Sequence, residues 1–186
     1  YKDFNKLVFS GQIGIGTDIK NLLEFSSLGD SFEQKSASLN TLVEHTLPMI
    51  KTALRMHRSH IELTEKEVPV IVNPHLLQQV IFNLVNNACQ AMPDSGDLTV
   101  KTELAGRWME LSISDNGSGI PDAIKDRIFE PFFTTKPEGV GTGLGLSMSR
   151  SVVESFGGSL TLLKSDSTGT TFVVRLPIGT DESSCH

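Results

Sequence analysis

H-L-L-Q-Q-V-I-F-N-L-V-N-N-A-C-Q-A-M, residues His75–Met92, is the stretch on which the reading of this chain turns. Leu76, Val80, Leu84, Asn87 and Ala91 recur at steps of three and four, with Leu77, Ile81 and Ala88 beside them. That spacing predicts a helix with one broad apolar face. Asn73-Pro74, just upstream, is a turn signal. Asn83 and Asn87 lie four residues apart and share one side of the helix. An amide on a half-buried helical surface needs a partner that apolar neighbours cannot supply. Taken alone, the two read as well as exposed or capping amides, so their meaning depends on what surrounds them.

Outward from that helix the pattern alternates between helix and strand. Thr17 or Asp18 caps an expected helix through about Ser26, and Leu39–His57 reads as a second one, interrupted near Pro48. Ile61–Val72 is expected to contain strands. Leu98–Glu103 and Trp108–Ser114 alternate as antiparallel strands across a turn at Ala105-Gly106. After glycine-rich loops, a helix is expected from about Leu144 to Phe156, and strands at Ser159–Lys164 and Thr170–Leu176 flank a turn at Ser165–Gly169. From Gly179 the sequence reads as a frayed tail. This order predicts a two-layer α/β sandwich, a mixed sheet with helices on one face.

Composition narrows the function. At 186 residues, with 38% hydrophobic and 20% charged side chains, the chain has the make-up of a globular domain. A net charge of −6 argues against a nucleic-acid partner or a polybasic membrane surface. Cys89 and Cys185 are far apart and fit no metal-ligand spacing, so the expected compartment is reducing and cytoplasmic. No apolar run approaches the ~20 residues of a membrane-spanning helix. G-Q-I-G-I-G at Gly11–Gly16 lacks the Lys-Ser/Thr pair and the preceding strand of a phosphate loop.

The chemistry lies in four blocks read together: N-L-V-N-N-A at Asn83–Ala88, D-N-G-S-G at Asp115–Gly119, E-P-F-F-T-T-K at Glu130–Lys136 and G-V-G-T-G-L-G-L at Gly139–Leu146. A neutral amide oxygen suits a Mg²⁺ ion that already carries charge from phosphates. Asp115 stands at a predicted strand end, where its carboxylate can accept from the exocyclic amine of adenine, and Gly117 and Gly119 let the backbone come close to a ring. Alone, this block is also a common Asp-Asn-Gly turn. Gly139, Gly141, Gly143 and Gly145 alternate into the helix near Leu144, so loop amides and a helix N-terminus favour anionic oxygens there. Such a loop also suits a lid. Phe132 and Phe133 are placed to pack it, and Lys136 is the natural cation to meet a phosphate, unless it is simply solvated.

Together these blocks resemble the catalytic, ATP-binding domain of sensor histidine kinases, within the superfamily shared with gyrase-type ATPases. Asn83–Ala91 is similar to that family's asparagine box, Asp115–Gly119 to its first glycine box, Glu130–Phe133 to its phenylalanine box and Gly139–Leu146 to its second glycine box. Gly169-Thr170-Thr171-Phe172 resembles its late-strand motif. The likeness covers roughly residues 39–178, and the short P-E-G-V lid with F-F-T-T-K resembles nitrogen-regulation-type kinases. It implies that Asn87 ligates Mg²⁺ with Asn83 supporting the phosphates. Asp115, Gly117, Gly119, Ile120 and Thr170 would form the base pocket. Phe133, Lys136, Gly141, Gly143, Leu144, Gly145 and Leu146 would line the triphosphate and its lid.

The resemblance also sets the expected organisation: residues 1–30 as the second helix of a dimerisation hairpin, 31–180 as the catalytic domain and 181–186 as a tail. Its expected partners are ATP, a histidine on that hairpin and a response-regulator receiver domain, in a homodimeric full-length protein. Three departures stand out. Asn83 occupies the place of the water-activating glutamate of gyrase-type ATPases, which favours transfer over hydrolysis. No histidine has the family's acceptor context: His45 precedes Thr46-Leu47-Pro48, without the acid. Gln90 stands where many relatives carry a basic residue that touches phosphate. Two other readings use the same fold: an anti-sigma-type serine kinase, and a module that binds nucleotide without transferring it.

Overall fold

The computed structural model describes residues 33–50, 54–92, 95–136 and 141–179. The expected hairpin helix at Asp18–Ser26, the loop Gly11–Gly16, Gly139 and Val140, and the tail beyond Gly179 lie outside these residues.

The pivotal helix forms as its periodicity requires. It is α2, Pro74–Ala91. Asn73 caps it, its Oδ1 accepting from His75 N–H at 3.1 Å and Leu76 N–H at 3.2 Å, and Pro74 opens the first turn where no donor is needed. Leu76, Leu77, Val80, Ile81, Leu84, Val85, Ala88 and Cys89 are buried. Each aliphatic side chain buried there contributes roughly 1.5–3 kcal/mol relative to exposure. Asn83 and Asn87 lie on the half-buried flank of that face.

The other elements are β1 (Lys35–Ala37), α1 (Leu39–Thr46), β2 (Arg58–Glu62), β3 (Val70–Val72), β4 (Asp97–Ala105), β5 (Trp108–Asp115), α3 (Gly145–Ser155), β6 (Ser159–Asp166) and β7 (Gly169–Pro177). Five strands make one mixed sheet in the order β2-β4-β5-β7-β6. The β2–β4 pair is parallel and the rest are antiparallel. Leu98, Val100 and Thr102 of β4, Met109, Leu111 and Ile113 of β5, and Phe172, Val174 and Leu176 of β7 are buried beneath the helices. Alternate positions such as Lys101, Glu103 and Glu110 face the other way, as period two demands. Helix α2 packs on β5, α3 on β6 and β7, and α1 on α2. This is the expected sandwich with a mixed sheet.

The structure adjusts several boundaries. α1 ends at Thr46, where a 3₁₀ turn, Leu47–Ile50, takes over at Pro48, and the backbone is already a strand at Arg58. The expected turn at Ser165–Gly169 is far tighter, because β6 runs on to Asp166 and β7 starts at Gly169. A second, two-stranded sheet was not expected: β1 pairs antiparallel with β3, and Val70 bridges to Ile178. Gly179 N–H donates to Pro69 O at 2.8 Å, so the chain stays attached at the start of the predicted tail.

Candidate functional site

One end of the site is built on strands. Asp115 is the last residue of β5 and sits opposite Thr170 of β7. Both share the parity of the buried residues of their strands, so both lie on the helix-covered face. Asp115 Oδ1 accepts from Gly117 N–H at 2.9 Å and Thr170 N–H at 3.3 Å. Its other oxygen has no hydrogen-bond partner among the described residues. Burial pushes the carboxyl above its ordinary range, while the two N–H donors pull the other way. The buried Cys89 thiol on α2 is pushed up by its own burial and then by the charge of Asp115. The result is a half-buried acceptor turned toward α2.

The loop after Asp115 is fastened on both sides. Gly119 has φ +71°, and a Cβ there would lie 1.9 Å from the carbonyl oxygen of Asp166. Asn116 Oδ1 accepts from Asp97 N–H at 2.8 Å, and Arg58 Nε and Nη2 hold that aspartate at 2.6 and 2.8 Å. Ile120 N–H donates to Ser165 Oγ at 2.7 Å, and Ser165 Oγ lies 3.0 Å from Thr170 Oγ1. Lys125 Nζ donates to Ser165 O at 2.6 Å.

Ser165, which bonds Ile120 and lies against Thr170, is not singled out by the sequence. The strand pairing shifts register between Leu162 and Lys164, a bulge that leaves Leu163 67% exposed and turns Ser165 inward. Without the extra residue Lys164 would face the pocket. Nothing in S-D-S-T-G, which reads as a turn, signals that Ser165 turns inward out of phase with Leu160 and Leu162.

The other end of the site is built on helix faces and glycine. Asn87 Oδ1 accepts from Lys136 Nζ at 3.4 Å, and the same ammonium donates to Gln90 Oε1. Asn83 points elsewhere: its Nδ2 donates to Ser149 Oγ of α3 at 2.9 Å, and a Cβ on Gly145 would lie 2.5 Å from its Oδ1. Asn83 therefore docks the N-terminus of α3. The residue before that terminus, Leu144, is apolar and makes no side-chain capping bond. Gly143, at φ +69°, lets the loop meet the backbone of Phe132, where a Cβ would come within 2.3 Å of the carbonyl carbon. Phe132 itself has φ +66° and is 74% exposed. Phe133 packs on the core under the Arg127 guanidinium, 4.5 Å from its ring centre. Gly141 lies against Thr134 and the stem of Lys136, Leu146 against the core.

The predicted residues thus form two clusters: Asp115, Gly117, Gly119, Ile120 and Thr170 at the sheet end, and Asn87, Lys136, Gly141 and the start of α3 at the other. Asn83 joins neither directly. A helix start and an ammonium offer places for a polyanion. Asn87 already presents its amide oxygen to a cation, which fits a magnesium ligand. Among the described residues no group of three or more His, Cys, Asp or Glu side chains is poised to hold a metal alone. A metal here would need oxygens from its own ligand, as a phosphate-borne Mg²⁺ has.

The family described as histidine kinase-, DNA gyrase B-, and HSP90-like ATPase matches residues 72–180, more than half the chain and all of both clusters. The chain belongs to this family. Among its relatives is the signal transduction histidine-protein kinase AtoS of Escherichia coli K12, 35% identical over 96% of this chain and 29% of its own length. The two-component sensor PprA of Pseudomonas aeruginosa is 43% identical over 73% of this chain and 16% of its own. This chain therefore spans under a third of those relatives. The solved catalytic domain of histidine kinase ThkA superposes with a TM-score of 0.71 at 30% identity, covering 78% of this chain and 96% of that one. ThkA in complex with the response regulator protein TrrA gives 0.73 at 26% identity, over 90% of this chain and 48% of that one. The fold and nucleotide-binding character expected from the sequence stand. Among the described residues no helix is long and apolar enough to cross a membrane.

Proposed function

We propose that residues 31–180 bind Mg²⁺–ATP and act as the catalytic domain of a sensor histidine kinase. The γ-phosphoryl group goes to a histidine on a dimerisation hairpin, which residues 1–30 would partly supply, and passes on to an aspartate of a response-regulator receiver domain. The full-length protein would be a homodimer. The observation that carries this reading is the pairing of a half-buried carboxylate at a strand end with a helix start, behind the apolar N-cap Leu144, across α2.

Asp115 accepts from the adenine amine, beside Thr170 and under Ile120. Gly141 to Leu146 bring loop amides and the first turn of α3 to the phosphates, and Lys136 adds a positive charge. Asn87 would hold Mg²⁺, which supplies charge neutralisation to the phosphate oxygens. Asn83, an amide engaged with Ser149, has no basicity with which to activate water. Hydrolysis is thereby disfavoured, and the γ-phosphoryl group is kept for an acceptor that is its own nucleophile.

Labelled transfer from Mg²⁺–ATP to an added histidine-bearing hairpin tests the proposal. Acid-labile label on the hairpin is expected. Acid-stable label would favour the serine-kinase reading, and tight ATP binding with no label on any hairpin from its relatives would reduce the domain to a nucleotide-gated module.

A further inference from the structure

Asn87 and Gln90 lie three residues apart on one side of α2, and a single ammonium, that of Lys136, donates to the amide oxygens of both. That ammonium reaches α2 from the block before the glycine-rich loop. A Cβ on Gly141 would lie 3.0 Å from Lys136 Cδ, so the loop runs along the lysine stem. Thr134 Oγ1 accepts from Lys136 N–H at 3.1 Å and holds the backbone that delivers the side chain.

We infer that Lys136 competes with the metal for Asn87 and so sets how strongly nucleotide binding depends on Mg²⁺. The inference rests on the Mg²⁺–ATP reading of the site. A dication and an ammonium drawn to one neutral amide oxygen repel each other at close range, more strongly in a partly dehydrated pocket than in water. Asn87 Oδ1 therefore serves one or the other. When a metal takes it, the ammonium leaves for the phosphates, to which its stem already runs beside the loop. When metal is scarce, the ammonium stays between α2 and the phosphates and supplies the positive charge. Gln90 is its seat: an exposed amide that holds the cation against α2 without itself needing to touch the nucleotide. Lys136 is thus a specificity-determining residue for the metal requirement as well as a phosphate contact.

The test is binding of ADP, which needs no turnover, measured by calorimetry in EDTA and across a Mg²⁺ titration. Lys136→Met keeps the stem and removes the charge. The Mg²⁺ concentration at half-maximal stimulation should fall about three- to tenfold, the net weight of one ordinary hydrogen bond. Metal-free ADP binding should weaken by a similar factor. Gln90→Met, on the exposed side of α2, should lower the Mg²⁺ midpoint in the same direction by a smaller factor, and an unchanged midpoint there would remove Gln90 as the seat of the ammonium. Opposite signs in the lysine variant are decisive. An unchanged or raised midpoint in Lys136→Met overturns the competition. No ADP binding by the wild type with or without Mg²⁺ instead overturns the nucleotide reading beneath it.

Discussion

The two ends of the site are held by different means. At the base end every element belongs to the sheet or is tied to it. Asp115 and Thr170 are opposed across β5 and β7, and Ser165 reaches both Thr170 and Ile120 from β6. Thr170 and Ser165 are 4% and 7% exposed, so this wall is as buried as the core. At the other end the parts are a loop, a helix start and a lysine, meeting through side chains and close backbone approaches, such as Lys136 on Asn87 and Gly143 on Phe132, rather than through strand pairing. Under the proposed function, recognition of the base would fall to a rigid scaffold, whereas the polyphosphate would meet a loop, a helix start and a long side chain. A base is a fixed planar shape, while a phosphoryl group that must be handed on needs a lid that can open.

The sharpest way to break this contrast is to remove the charge at its rigid end. Asp115→Asn keeps the oxygen that accepts from Gly117 and Thr170 but turns a donor toward the adenine amine. Loss of about 2–3 kcal/mol of binding, roughly a hundredfold in Kd, is expected for a charge-assisted contact replaced by two facing donors. Calorimetry with ADP measures it, and unchanged affinity would sink the assignment of the base pocket.

A pair of glycine substitutions separates the two ends next. Gly119→Ala places a methyl 1.9 Å from the Asp166 carbonyl at positive φ, in a loop fastened to β6. Either the strand end or the loop must shift, at a cost of about 2–3 kcal/mol to the whole fold. A drop in Tm of roughly 4–12 °C should follow for a domain of this size. Gly143→Ala meets the Phe132 backbone at 2.3 Å, also at positive φ, yet it perturbs only the lid junction. Its Tm should fall by less than half as much, while ADP affinity weakens several-fold. Equal losses of Tm in both variants would erase the distinction between a rigid wall and a movable lid.

How much of this was legible follows the same division. The apolar period of α2 and the alternation of β4, β5 and β7 are local patterns, so their burial was readable from spacing alone. Asp115 was readable because a strand ended there and glycines followed. Ser165 was not, since a bulge changes which face a side chain takes without changing composition. Asn83 bonds Ser149, 66 positions along the chain. Nothing near Asn83 announces that partner. The strand β1 is three residues long with mostly exposed side chains, and its pairing with β3 carries no periodic signature.

The smallest expected effect tests the physical state of Asp115 itself. Burial raises its carboxyl above the ordinary value, about 4 in an unfolded chain, with the Gly117 and Thr170 amides opposing that rise. A group whose folded pKa is raised contributes its stability below the unfolded pKa and loses it as pH climbs through the folded one. Ionised Asp115 is therefore a net cost to the free domain at neutral pH, and Asp115→Asn removes that cost. The variant that binds nucleotide worst should melt slightly higher than wild type at pH 7. The gap should close as pH falls through the folded pKa of Asp115 toward 4, where both side chains are neutral. Thermal melts of the two proteins from pH 4 to 8 measure this. A variant that melts lower at pH 7 and regains the wild-type value only in acid would mean that the two backbone amides outweigh burial, so that the carboxylate is held by the fold rather than strained for the ligand.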